Sequence, residues 1–87
     1  MYTVLPFAPG YGVRFVPEPP SADNQATDLK HAGVVFERLI RAAGLEMIPG
    51  DTFADVAHTS NWDGVSWTYF VARLVVGERG GIHVQRY

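Results

Sequence analysis

The stretch VSWTYFVARLVV, residues 65–76, constrains the fold more than any other part of the chain. It is dense in β-branched and aromatic side chains, which lose freedom in a helix and pack well on a pleated surface. Asp63-Gly64 precedes it, and before that pair lies TFADVAHTSNW, which alternates loosely. Asp-Gly is the preferred pair for a two-residue type I′ turn because both central residues need positive φ. The pattern predicts a long antiparallel hairpin, with GERGG as a glycine turn and IHVQRY as a short further strand. A competing assignment makes 51–58 a short helix capped by Asp51.

Strict alternation along 65–76 puts Val65, Trp67, Tyr69, Val71 and Val75 on one face, interrupted by Arg73. The other face carries Ser66, Thr68, Phe70, Ala72 and Leu74. A strand with one solvated face alternates clearly between apolar and polar, whereas this one is apolar on both. The small residues Ala57 and Ala72 suit the close approach of a helix, and a single helix covers only one face. The Trp67–Tyr69 face is therefore expected to be uncovered, and contiguous apolar area of that kind marks an interface. Trp62, Trp67, Tyr69 and Arg73 are its candidate contact residues.

The covering helix reads from 24 to 43. Asp23, Asn24 or Ser21 can accept the free amides of its first turn. At 100° per residue Leu29, Ala32, Phe36, Ile40 and Ala43 form one stripe, with Leu39 at its edge. Arg38 and Arg41 sit near the helix C-terminus, where cations suit the dipole. Gly44 offers a left-handed cap, and Leu45 can fold back on Ile40 in a Schellman motif. Val34 falls among Lys30, Glu37, Arg38 and Arg41, far from the stripe. A β-branched residue is a poor choice for a solvated helix position, so Val34, Arg38 and Arg41 form a second candidate contact surface, suited to an acidic partner. Ahead of the helix, residues 2–8 and 12–17 read as short strands around a Pro9-Gly10 and Gly12 turn. Pro6 belongs at an edge, because proline cannot donate to a ladder, and PEPPSADNQ reads as a stiff connection. The expected architecture is α+β, a single helix packed on a small antiparallel sheet in the order β-β-α-β-β-β, forming one domain over residues 1–87.

A chain of 87 residues buries a modest share of its surface, and small domains commonly gain stability from disulfides, metals or a second subunit. There is no cysteine, which removes disulfides and cysteine-based zinc sites. Self-association, expected to yield a homo-oligomer such as a homodimer, is the remaining route. The 47% hydrophobic content supplies material for the interface.

HTSNWDGVSW, residues 58–67, concentrates the polar chemistry. His58, Ser60 and Asp63 resemble parts of a hydrolytic relay, but no G-x-S-x-G elbow presents the serine. Asn61, Asp63 and Gly64 are turn formers, and Thr59, Ser60 and Ser66 suit strand ends. His31, His58 and His83 fall on three different elements without a metal-binding spacing, so no metal and no cofactor is expected. His31 and His83 read as solvated. GERGG lies between strands rather than before a helix, and is not a phosphate loop.

The net charge of −2 is dispersed, with no basic run to track a phosphate backbone. Six arginines against one lysine, with abundant Ala, Gly and Val, suit a GC-rich genome. The N-terminus lacks the features of a signal peptide. No segment approaches the ~20 apolar residues of a membrane span, which makes a cytoplasmic location the default and a membrane partner unexpected. The expected function is non-enzymatic: a small protein-binding module, acting as regulator, adaptor or inhibitor, of a kind encoded by phages and mobile elements. It would bind itself through the sheet and also an unknown protein partner. One alternative is a small-ligand or hydrolytic site in the His58/Arg73 region. Another is single-stranded nucleic acid stacking on the Trp67/Tyr69 face, which the acidic balance disfavours.

Overall fold

Asp63 (φ 49°) and Gly64 (φ 75°) both adopt left-handed backbone, and they close the expected type I′ hairpin. The computed structural model describes residues 1–8 and 20–87. Its elements are β1 (Tyr2–Pro6), β2 (Gln25–Ala26), α1 (Leu29–Ala42), β3 (Phe53–Trp62), β4 (Val65–Val76) and β5 (Ile82–Arg86). The five strands form one antiparallel, curled sheet in the order β2-β1-β3-β4-β5, with α1 packed on it. The α+β expectation holds, and residues 53–62 are strand rather than helix. The expected strand at 12–17 and the turn at Pro9-Gly10 and Gly12 lie outside the described residues. The second strand that is described, β2, falls where the helix was expected to begin.

The helix starts at Leu29 and not at 24. Asn24 is occupied elsewhere: its Oδ1 accepts the Ser21 backbone amide at 2.7 Å, and its carbonyl accepts the Val4 amide at 2.8 Å. Gln25 and Ala26 pair with Thr3 and Tyr2. The cap is Asp28, whose carboxylate accepts the His31 amide at 2.6 Å. His31 in turn accepts the Thr27 amide on Nδ1 at 3.1 Å, so it closes the first turn rather than standing free in solvent. The C-terminus ends as expected. The Leu45 amide donates to Ile40 O at 3.1 Å and the Gly44 amide to Arg41 O at 3.0 Å, with Gly44 at φ 73°.

Leu29, Ala32, Val35, Phe36 and Ile40 are the buried helix residues. Val35 is buried in place of Ala43, which is the exposed C-cap residue; on the opposite flank of the stripe Ile82 of β5 lies beside Gly33. These side chains meet Val4, Ala26, Ala54, Val56, Ala72, Leu74 and Val76 in one core. Pro6 pairs with Ala54, and its nitrogen faces the side where β2, paired only at Tyr2 and Thr3, does not reach. No donor is needed there, so β1 tolerates the proline although its other end is interior to the sheet.

A bulge in β4 decides the faces of the sheet. Val56 pairs with Ala72 while Ala57 pairs with Phe70, which leaves Val71 as the extra residue. Val71 packs against the core beside Ala72, and the alternation of β4 changes phase at that point. The sequence-based assignment of faces fails here. Trp67 and Tyr69 share the helix side with Ala72 and Leu74, while Arg73 and Val75 lie on the opposite side. Ala57 also turns away from the helix, paired with Thr3 and Phe70. Ala54 and Ala72 are the small residues beneath α1.

Candidate interaction surface

The hairpin outruns the sheet that supports it. The β1 ladder ends with Tyr2 opposite His58, and the β5 ladder ends with Arg86 opposite Ala72. Beyond these pairs and the Tyr87 amide's bond to Val71 O at 3.1 Å, no described strand flanks residues 59–70. They form a two-stranded arm, in keeping with overall dimensions of 43 × 22 × 21 Å. The arm has an aromatic face and a mainly polar one, with half-exposed Phe70 at the root of the latter, opposite Ala57. On the helix side, cross-strand pairs place His58 opposite Tyr69, Ser60 opposite Trp67 and Trp62 opposite Val65. On the other side Thr59 and Thr68 share a hydroxyl hydrogen bond at 3.0 Å, and Ser66 donates to Asn61 Oδ1 at 2.6 Å.

The aromatic face is open. Trp62 is 71% exposed, Trp67 57%, Val65 52% and Tyr69 51%. At the root, Tyr2, His58 and Tyr69 form a row of tilted rings across three strands, with centroids 4.9 and 5.6 Å apart. Ser60 Oγ lies 3.2 Å from His58 Nδ1. Asp63 is at the tip, beyond Trp62, and among the described residues no carboxylate bonds to His58. The three relay-like residues of 58–67 are therefore not assembled as a relay. Asp63 is also the only acidic or basic residue between Val56 and Ala72, His58 being the only other titratable group apart from Tyr69.

Arg73 belongs to a different cluster on the reverse face. Asp55, directly opposite it, is buried, accepts from Tyr87 Oη at 2.7 Å and forms an ion pair with Arg73, whose Nε lies 3.5 Å from Oδ1. The Arg73 guanidinium lies 5.3 Å from the Phe53 ring centroid and 5.9 Å from that of Tyr87. Loss of water around the phenol, then the Asp55 carboxylate it donates to, raise the Tyr87 pKa above its ordinary value, and Arg73 opposes them. His58 and Arg73 thus stand on opposite faces and do not line one pocket, nor does Arg73 join Trp67 and Tyr69 in a stacking platform.

The helix's outer surface is as expected in outline: Val34 is 57% exposed and shares a shallow depression with Glu37, Arg38, Arg41 and Ala42. Both of its arginines are engaged, and among the described residues only Arg41 of the two is ion-paired. Arg41 makes two hydrogen bonds to Glu37 Oε1, at 3.0 and 3.1 Å, and Arg38 donates to the Asp23 carbonyl at 3.1 Å. Among the described residues no cluster of His, Asp or Glu is arranged to hold a metal, and no helix is long and apolar enough to cross a membrane.

Of the residues singled out from sequence, Trp62, Trp67 and Tyr69 come together, and Val65, His58 and Tyr2 join them. Counting outward from Asp63-Gly64 finds the first three pairs, because a two-residue turn fixes the register of both strands. No family model, curated protein or solved structure matches this chain.

Proposed function

We propose that the protein is a polypeptide-binding module, of the regulator, adaptor or inhibitor class, whose contact element is the hairpin arm. One observation carries this reading: a two-stranded arm that sets Trp62, Val65, Trp67 and Tyr69 on one open face, around the single hydroxyl of Ser60, while Thr59, Asn61, Ser66 and Thr68 occupy the other with Phe70 at its root. A two-stranded ribbon is marginal in water by itself. Two half-exposed indoles and a tyrosine on such a ribbon gain stability when another surface covers them, and Trp and Tyr are the residue types that dominate contact energies. The neutrality of the face favours a polypeptide over nucleic acid, whose backbone calls for cations.

The test is the solution state of the purified protein compared with Trp62→Ser and Trp67→Ser, which alter exposed side chains and leave the core intact. The expected result is a wild-type protein that either exceeds the mass of one chain or retains a stoichiometric polypeptide, with both behaviours lost in the variants. A wild-type protein that stays a single chain, retains no polypeptide and instead binds single-stranded oligonucleotide or a small ligand would overturn the reading.

A further inference from the structure

We infer that the occupant of the aromatic face is the same face of a second copy, laid antiparallel across it. This rests on the arm being a polypeptide contact and adds the identity and direction of the partner. The first argument is area. Aromatic side chains bury ~150–250 Å² each. At the exposures of Trp62, Trp67 and Tyr69, with Val65 added, each arm offers on the order of 400–500 Å² of mostly apolar surface. A symmetric contact counts that area twice, to ~800–1,000 Å², above most chance contacts and in the range of a weak, concentration-dependent dimer.

The second argument is charge. A surface that binds its own copy meets its own charges, and the row from His58 to Trp62 and from Val65 to Tyr69 contains no acidic or basic side chain apart from the imidazole. Asp63 sits at the tip alone. Arms laid in the same direction would bring two tip carboxylates together, whereas opposite directions separate them by the length of the arm.

The third argument is shape. The helix and the aromatic row lie on the same side of the sheet, the helix over the proximal strands and the row beyond it. Arms stacked in the same direction would drive helix against helix. Stacked in opposite directions, each arm fills the layer that the partner's helix leaves open, since a sheet packs on a sheet at ~10 Å and a helix layer has similar depth. The two-fold axis then passes the Ser60–Trp67 pair, and the tip pair Trp62–Val65 meets the partner's root row of Tyr2, His58 and Tyr69.

The absence of cysteine makes a direct test available. Ser60→Cys places one thiol near the axis on the aromatic side, and Asn61→Cys places one on the polar side. Light scattering should give twice the 9.6 kDa chain mass at high concentration. A bismaleimide just long enough for the ~10 Å between stacked sheets should join Ser60→Cys chains at least ten-fold faster than Asn61→Cys chains. Trp67→Lys should abolish both results while keeping the wild-type circular dichroism. A single-chain mass up to near-millimolar concentration overturns the second copy, yet leaves the arm as a contact element if another polypeptide is retained through Trp62 and Trp67. A dimer that survives Trp67→Lys and joins through Asn61→Cys overturns both readings.

Discussion

Gly64→Ala tests whether the arm is a separate unit riding on a stable body. Gly64 has φ 75°, and a Cβ built there meets no atom within 4 Å. The substitution therefore acts through backbone conformation alone, and left-handed backbone costs a non-glycine residue about 1–2 kcal/mol. That cost falls on the arm, because among the described residues the turn adjoins the Trp62–Val65 pair and the ribbon behind it. About 1–2 kcal/mol changes an opening equilibrium by roughly 5–30-fold. Amide hydrogen exchange followed by NMR should show the arm's cross-strand amides exchanging faster by that factor. The amides of α1 and of Ala54–Val56 should keep their wild-type rates, since their protection comes from the core beneath the helix. Self-association should weaken by less than that factor, because apparent affinity falls only with the fraction of arms that are closed. Equal acceleration in arm and body would refute the reasoning, showing that the hairpin opens only with the whole sheet. A silent substitution would mean that the turn does not have this geometry in solution.

Asp28→Ala removes the carboxylate that accepts the His31 amide, and thermal unfolding should show a loss of about 1 kcal/mol. Thr52 is fully buried, and its Oγ1 has no hydrogen-bond partner among the described residues. Thr52→Val keeps the shape and removes an unsatisfied hydroxyl, so denaturant unfolding should show a gain of about 1 kcal/mol, within the range for such groups. Tyr87→Phe deletes the bond to Asp55 and should cost about 0.5–1.5 kcal/mol at neutral pH. Because the folded-state pKa of Tyr87 is raised, this contribution is complete below the ordinary phenol value near 10 and is lost as pH climbs through the raised value. Unfolding curves of wild type and Tyr87→Phe should therefore converge in alkali, and a constant difference would contradict the assignment.

Much of this architecture is legible in the residues. Asp63-Gly64 fixes the hairpin, Gly44 and Leu45 fix the helix end, and the density of β-branched and aromatic residues in 65–76 fixes the long strand, each through a local preference. The failures have an equally local cause. Asn24 and Asp28 are comparable as helix caps, and the choice between them was made by the Ala26–Tyr2 pairing, a contact between distant parts of the chain. The Val71 bulge is written in no residue type, since valine suits a regular strand position and a bulge alike. Counting faces from the core end of β4 carries the error past Val71 and separates Trp67 from Ala72. Counting from the turn avoids it. The candidate residues Trp62, Trp67 and Tyr69 were thus identifiable by type, while the face they share, and the exclusion of Arg73 from it, depended on one extra residue in one strand.

Both tryptophans of the chain, Trp62 and Trp67, lie on the arm's aromatic face, so fluorescence excited selectively at the indoles, beyond the tyrosine absorption, reads that face. Emission maximum and iodide quenching, measured from nanomolar to near-millimolar protein, test the central claim most directly. Covering of the face by a second copy predicts a shift to shorter wavelength and a fall in quenching, both following one concentration-dependent transition that Glu46→Gln, exposed and off the arm, leaves in place and Tyr69→Lys abolishes. Indoles that stay fully quenched, with an unshifted maximum at every concentration, would contradict it.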